Sequence, residues 1–131
     1  MTKTRVLIVD DEPKLVRLVH EILTATDYQV LAACNGDNAV EMIAVEKPDL
    51  ILLDLKLPGD MDGYQVLTQL KRSMDTASIP VIVITGSLTD EEVKQQKVLA
   101  LGADRFLTKP FEIDDLITEI RQFMGEGQVI R

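Results

Sequence analysis

The chain has one cysteine, Cys34, and one histidine, His20. A single thiol excludes an intrachain disulfide and a thiolate metal cage. Cys34 closes an apolar stretch, so it reads as a small core residue rather than a redox group. His20 falls inside a helical pattern. It reads as a surface or boundary residue, not as a phosphate carrier, and it leaves no Ser-His-Asp arrangement to assemble. No glycine-rich nucleotide cradle is present. No apolar run nears the ~20 residues that cross a bilayer, and Met1-Thr2-Lys3-Thr4 leads straight into a strand-like run rather than a secretion signal. A cytoplasmic location without a membrane partner is therefore expected. Basic residues are also scarce: 14 Lys and Arg stand against 22 Asp and Glu, for a formal net charge of −8. Direct nucleic-acid binding by this domain is not expected, because it needs a basic surface.

The 131 residues, 46% of them apolar, suffice for one domain with a real core. The expected domain spans 1–125, with 126–131 as a tail or the start of a linker. Strand and helix patterns alternate five times. Strands are expected at about 5–10, 29–34, 50–54, 81–85 and 103–107. Pro13 suits the first turn of the first helix, where Leu15, Leu18, Val19, Ile22 and Leu23 recur at helical spacing. Asn35-Gly36-Asp37 turns into a second helix with Ala39, Val40, Ile43 and Ala44 on its inner face, stopped by Pro48-Asp49. A third helix follows the 58–63 loop and turns Val66, Leu67 and Leu70 inward. Thr89-Asp90-Glu91-Glu92 reads as the cap of a fourth, with Val93, Val98 and Leu101 inside and Gly102 as its stop. The fifth, about 112–124, buries Leu116, Ile117, Ile120 and Phe123 before Gly125-Glu126-Gly127. Near-continuous Val, Ile and Leu strands alternating with amphipathic helices predict an α/β fold, a parallel sheet covered on both faces. Periodicity does not fix the strand order.

In such a sheet the carboxyl ends of the strands share one edge, where ligands bind. Asp10-Asp11-Glu12 follows the first strand, Asp54 ends the third, Thr85-Gly86 ends the fourth, and Lys109-Pro110 follows the fifth. Two like charges ~4 Å apart repel by roughly 4 kcal/mol at an effective dielectric of ~20. A cluster of carboxylates there makes sense around a divalent cation, and oxygen ligands suit Mg²⁺. Asp54 gains nothing from a fully apolar strand unless a cation or donor meets it. Carboxylates also serve as nucleophiles in phosphoryl transfer.

The ordered set Asp10-Asp11, Asp54, Thr85-Gly86 and Lys109-Pro110-Phe111 resembles the receiver domain of two-component response regulators. Pro58, Met61-Asp62-Gly63 and Gly102-Ala103-Asp104 extend the resemblance over almost the entire chain. It implies a flavodoxin-like, doubly wound five-stranded parallel sheet of order 2-1-3-4-5 with five helices. It further implies that Asp54 is the phosphoacceptor for a histidine kinase or histidine phosphotransfer protein. Mg²⁺, with Mn²⁺ as a substitute, would be bound by Asp11, by Asp54 and by the Lys56 backbone carbonyl, with Asp10 acting through a water. Lys109 would pair with phosphoryl oxygens and the Thr85 hydroxyl would bond them. Thr85 and Phe106 would form the switch that alters the surface of helix 4, strand 5 and helix 5 for an output partner or domain that the sequence does not name. The domain would catalyse its own phosphorylation and slow autodephosphorylation without being a conventional enzyme.

The loop Pro58–Gly63 is one residue longer than the family's usual pattern, with Asp60 the extra residue. Phe106 lacks the hydroxyl of the tyrosine often found there. Lys56 places a cation near the site mouth and is expected to alter phosphoryl lifetime. Lys94, Lys97, Asp104 and Arg121 lie on elements that could form a phosphorylation-promoted homodimer face, although charged residues there are more often simply solvated. Two rival readings remain at this stage. A phosphatase-type enzyme would also use a strand-end aspartate, but its motif needs a second aspartate where Lys56 stands. A non-phosphorylated pseudo-receiver would not need the complete acidic set.

Overall fold

A computed structural model describes residues 3–86 and 97–124. The sheet strands are β1 (Thr4–Val9), β2 (Tyr28–Ala33), β3 (Leu50–Asp54), β4 (Val81–Thr85) and β5 (Arg105–Thr108). The helices are α1 (Pro13–Ala25), α2 (Gly36–Glu46), α3 (Gly63–Arg72), a segment at 97–100 here termed α4, and α5 (Ile113–Met124). The expected cap Thr89–Glu92, Val93, Lys94 and the 125–131 tail lie outside the described residues. All strand pairings are parallel, in the order β2-β1-β3-β4-β5, which is the flavodoxin-like order. No described helix is long and apolar enough to cross a membrane.

Successive strand residues point to opposite faces, and this splits the core in two. Leu7, Val9, Ile51, Leu53, Val81 and Val83 join α2, α3 and α4 through Ile43, Val66, Leu67 and Val98. Val6, Ile8, Leu50, Leu52, Ile82 and Ile84 join α1 and α5 through Val19, Leu23, Leu116, Ile117 and Ile120. Covered on both sides, the three central strands are apolar at nearly every position and wholly buried over most of their length. Local chemistry sets the helix ends. Pro13 opens α1, and Asn35 caps α2 by accepting from the Asn38 N–H. Asp62 and Gln65 form a reciprocal capping box on α3. Gly102, at φ +109°, follows α4 in a conformation that suits glycine.

Three expectations need correction. Cys34 is exposed, not a core residue. The β1–β2 ladder ends at Val9 and Ala33, so Cys34 falls one residue past the strand and outside its packing. Ala44 is exposed: the inner face of α2 is centred on Ala39 and Ile43, with Val40 and Met42 packing at its flanks. At 100° per residue, position 44 lies well round the helix from that face. Leu18 fits the helical spacing of α1 yet is 44% exposed. The remaining apolar positions proposed for α3 and α5 pack as expected, with Phe123 partly buried.

Candidate functional site

The parallel register brings the site together. Val9 stands opposite Leu53, so the next residues, Asp10 and Asp54, come side by side at the carboxyl edge. Thr85 stands opposite Thr108, which places Lys109 one residue beyond it, and the Lys109 N–H donates to the Thr85 carbonyl at 2.7 Å. Asp10 continues the face of Val6 and Ile8, and Asp54 that of Leu50 and Leu52. Lys109 shares its parity with Leu107, which packs in the same layer. Alternation thus aims all three side chains at one point.

At that point the Lys109 Nζ donates to Asp10 Oδ2 at 2.9 Å and to Asp54 Oδ2 at 3.4 Å, and lies 4.0 Å from Glu12 Oε1. Asp10 and Asp54 are both buried. Asp10 Oδ1 accepts the Glu12 N–H at 2.8 Å, and Asp54 Oδ1 accepts the Lys56 N–H at 3.2 Å. Burial, followed by the charge of Asp10, pushes the Asp54 carboxyl above its ordinary value, with Lys109 and the Lys56 N–H pulling the other way. Burial works against the charged form of Lys109. The bond to Asp10 and the Asp54 and Asp10 charges outweigh it, so the amine holds its proton above the ordinary lysine value.

Asp11, unlike Asp10 and Asp54, is exposed. One carboxylate oxygen each from Asp10, Asp11 and Asp54 lie within 4.8 Å of one another. Three hard oxygen donors, one of them solvent-facing, match what Mg²⁺ accepts, since that ion keeps several waters and uses few carboxylates. The acidic cluster can therefore hold a divalent cation.

A hollow of about 800 Å³ opens over Asp54. Its walls include Asp11, Glu12, Lys56, Pro58, Asp62, Tyr64, Thr85, Gly86 and Lys109. Asp10, bonded to Lys109, is not part of the lining. Thr85 is buried, and Phe106 is partly buried against the α2–α3–α4 layer, opposite Val83 in the ladder. Gly63, first residue of α3, donates its N–H to the Leu55 carbonyl at 2.9 Å and rests directly on the Asp54 peptide. The 58–63 loop leads directly into this seat.

Every site residue expected from sequence gathers at this edge except Phe106, which sits in the adjoining layer. Tyr64 was missed as a wall of the hollow. Its position immediately after the glycine that seats α3 was the available signal. A second hollow, of about 860 Å³, runs between α1 and α2 and touches Asp10, Asp11, His20 and Cys34, but none of Asp54, Thr85 or Lys109. Of the proposed dimer-face residues that are described, Asp104 Oδ2 accepts the Val81 N–H at 2.9 Å, and the Lys97 amine sits 4.3 Å above the Tyr64 ring.

Residues 6–121 match the response regulator receiver domain model. The transcriptional regulatory protein KdpE of Mycobacterium tuberculosis is 41% identical over 118 residues, 90% of this chain and 50% of that protein. Sporulation initiation phosphotransferase F of Bacillus subtilis is 34% identical over 124 residues, 95% of this chain and 96% of that protein. The chain spans about half the length of the transcriptional regulators it matches. The signal receiver domain of a signal transduction histidine kinase from Syntrophus aciditrophicus superposes with a TM-score of 0.83 at 34% identity, over 98% of this chain and 93% of that one. The fold, the strand-end cluster and these likenesses agree: the chain belongs to the response regulator receiver domain family.

Proposed function

We propose that this chain is a phosphoacceptor switch that takes a phosphoryl group onto Asp54 from the phosphohistidine of a histidine kinase or histidine phosphotransfer protein. The observation that carries this reading is the placement of Asp54: a buried carboxylate at the floor of an open hollow, flanked by Asp10 and Asp11 and bonded to the Lys109 amine. An Asp54 oxygen attacks phosphorus, the new O–P bond forms as the P–N bond breaks, and the imidazole leaves. Asp11, Asp54 and the Lys56 backbone carbonyl would hold Mg²⁺, with Mn²⁺ as a substitute and Asp10 acting through a water. The ion supplies neutralisation of the phosphoryl oxygens' charge. Lys109 contributes a second positive charge to those oxygens, and the Thr85 hydroxyl donates to one of them. The chain thereby catalyses its own modification and, more slowly, its reversal, without being a conventional enzyme.

The acyl phosphate adds roughly −2 charge and three acceptor oxygens. Drawing Thr85 and Lys109 toward it frees space beside β5 that Phe106 can fill, so the surface of α4, β5 and α5 differs between two states. The group biases that equilibrium only through its differential interaction with the two. That surface is where an output partner or domain, or a phosphorylation-promoted homodimer, would read the state. Residues 1–125 form the receiver unit in this reading, 126–131 lead out of it, and the setting is cytoplasmic.

The test is incubation with acetyl phosphate and Mg²⁺ followed by intact-mass measurement. The wild-type chain gains one phosphoryl group and Asp54→Asn gains none. Labelling of Asp54→Asn at the wild-type rate overturns the acceptor assignment.

A further inference from the structure

Tyr64 belongs to two hollows at once. It lines the hollow over Asp54, and it also lines the groove of about 480 Å³ between α3 and α4. Three constraints fix it. The backbone immediately before it is seated on the acceptor: a Cβ at Gly63 would lie 2.6 Å from the Leu55 Cα, so only glycine allows α3 to start this close. The capping box of Asp62 and Gln65 locks the first turn of α3, to which Tyr64 belongs. The ring itself is held from the α4 side by the Lys97 amine, 4.3 Å from its centroid. An apolar plate is thus set in a defined position relative to Asp54 by backbone contact on one side and by a cation on the other.

The proposed acyl phosphate is lost when water attacks phosphorus. A P–O bond forms to the water oxygen, the bond to the Asp54 carboxyl oxygen breaks, and inorganic phosphate, the Asp54 carboxylate and a proton result. The rate of that step depends on how readily water reaches phosphorus in line with the departing carboxyl. We propose, resting on the acceptor reading above, that Tyr64 is a positioning residue that excludes water from this approach, and that Lys97 holds its ring in place, so that the pair lengthens the life of the phosphoryl group. Burial and the neighbouring Asp62 charge raise the Tyr64 hydroxyl above its ordinary value, so the plate stays neutral beside an acceptor that becomes more negative. Among the described residues Lys97 does not line the hollow over Asp54, and its amine packs on the ring of Tyr64, which does. Its effect on lifetime therefore reports ring position and not direct charge at phosphorus.

The experiment loads the full chain with acetyl phosphate and Mg²⁺, removes the donor by rapid desalting, and follows loss of the phosphoryl group by intact mass. Tyr64→Ala is expected to shorten the lifetime by about threefold to tenfold, the scale of a partial loss of water exclusion. Tyr64→Phe keeps the plate and is expected to remain within about twofold of wild type. Lys97→Met keeps the stem, removes the cation and is expected to show an intermediate lifetime. A Tyr64→Ala lifetime within twofold of wild type overturns the proposal. So does a Tyr64→Phe lifetime as short as that of Tyr64→Ala, which would assign the effect to the hydroxyl. Should Tyr64→Ala not melt cooperatively, Lys97→Met, altered at an exposed position, decides: a wild-type lifetime overturns the role of the clamp and a shortened one supports it. A wild-type chain that never acquires the group sinks the acceptor reading beneath. Normal loading with indifferent lifetimes sinks the water-excluding plate alone.

Discussion

Replacing Lys109 by Met removes the only lysine or arginine ion-paired with the strand-end carboxylates among the described residues. The stem volume is kept and the charge is lost. At an effective dielectric of ~20, the 2.9 Å contact with Asp10 represents about 6 kcal/mol of gross attraction, and the 3.4 Å contact with Asp54 about 5. Most of this is offset in the wild type by the desolvation of three charged groups. The variant recovers the desolvation of Lys109 alone, whose side chain is 21% exposed, and leaves the Asp10 and Asp54 carboxylates facing each other. Stranding buried charge by removing its partner typically costs 3–5 kcal/mol, and access of water to the hollow places this case near the lower end, ~3 kcal/mol. Urea denaturation at pH 7 without divalent ions measures it. Adding Asp54→Asn to Lys109→Met should return more than half of the loss, since it removes the repulsion that the first change exposed. Mg²⁺ should also stabilise Lys109→Met more than the wild type, because the ion takes over the neutralising role. A loss below about 1 kcal/mol for Lys109→Met, or a double variant no more stable than the single one, would refute the account of Lys109 as the counter-charge of the site.

Gly63→Ala should cost about 3 kcal/mol, because the new Cβ meets backbone atoms of Asp54 and Leu55 that cannot rotate away. Gly59→Ala, at φ +91° with open space around it, should cost only ~1 kcal/mol. Urea midpoints of the two variants check the contrast, and equal losses would contradict the seating of α3 on the acceptor. Asp54 also gives the stability a pH dependence. Its folded-state value is raised, so the native state binds more protons than the unfolded one between 3.8 and that value. The contribution is therefore fully present below pH 3.8 and is lost as pH rises through the folded value. Metal-free unfolding of the wild type against Asp54→Asn should show the wild type losing ground as pH climbs through this window and no further change above it. A difference that grows in favour of the wild type would reverse the sign.

The strand ends were legible because an unbroken apolar run stops abruptly at each of them. Val6-Leu7-Ile8-Val9 and Leu50-Ile51-Leu52-Leu53 carry no polar residue, so the carboxylate that ends each run marks the sheet edge without any need of the register. The register then decides which carboxylates meet, and that is set by pairings such as Val9 with Leu53, between residues 44 apart in the chain. Sequence periodicity does not contain it; the family resemblance supplied it. Cys34 was misread for a related reason: β2 ends where its partner strand stops pairing, and a run of small apolar residues gives no sign of that point. Ala44 failed because alanine is at home on either face of a helix, so only the larger neighbours Ile43 and Met42 define the buried side. Tyr64 was missed because the glycine before it becomes a signal only once α3 is seen to rest on the Asp54 peptide, and its contact with Lys97 crosses between two elements.

The same cluster that carries the proposed chemistry works against the fold. A wholly apolar end to β3 would remove the repulsion between Asp10 and Asp54 and the burial penalty that raises Asp54. The lysine that meets them comes from another strand end, so its neutralising effect is available only once β1, β3 and β5 are aligned. Any cation or phosphoryl group entering the hollow must then redistribute contacts that already exist, at Lys109 above all. In the proposed reading, a charge change at Asp54 would reach β5 through the Lys109 side chain and its backbone bond to Thr85, which joins the ends of β4 and β5. In an apolar pocket of the same shape, the incoming charge would have no existing ion pair to rearrange and no such route to β5.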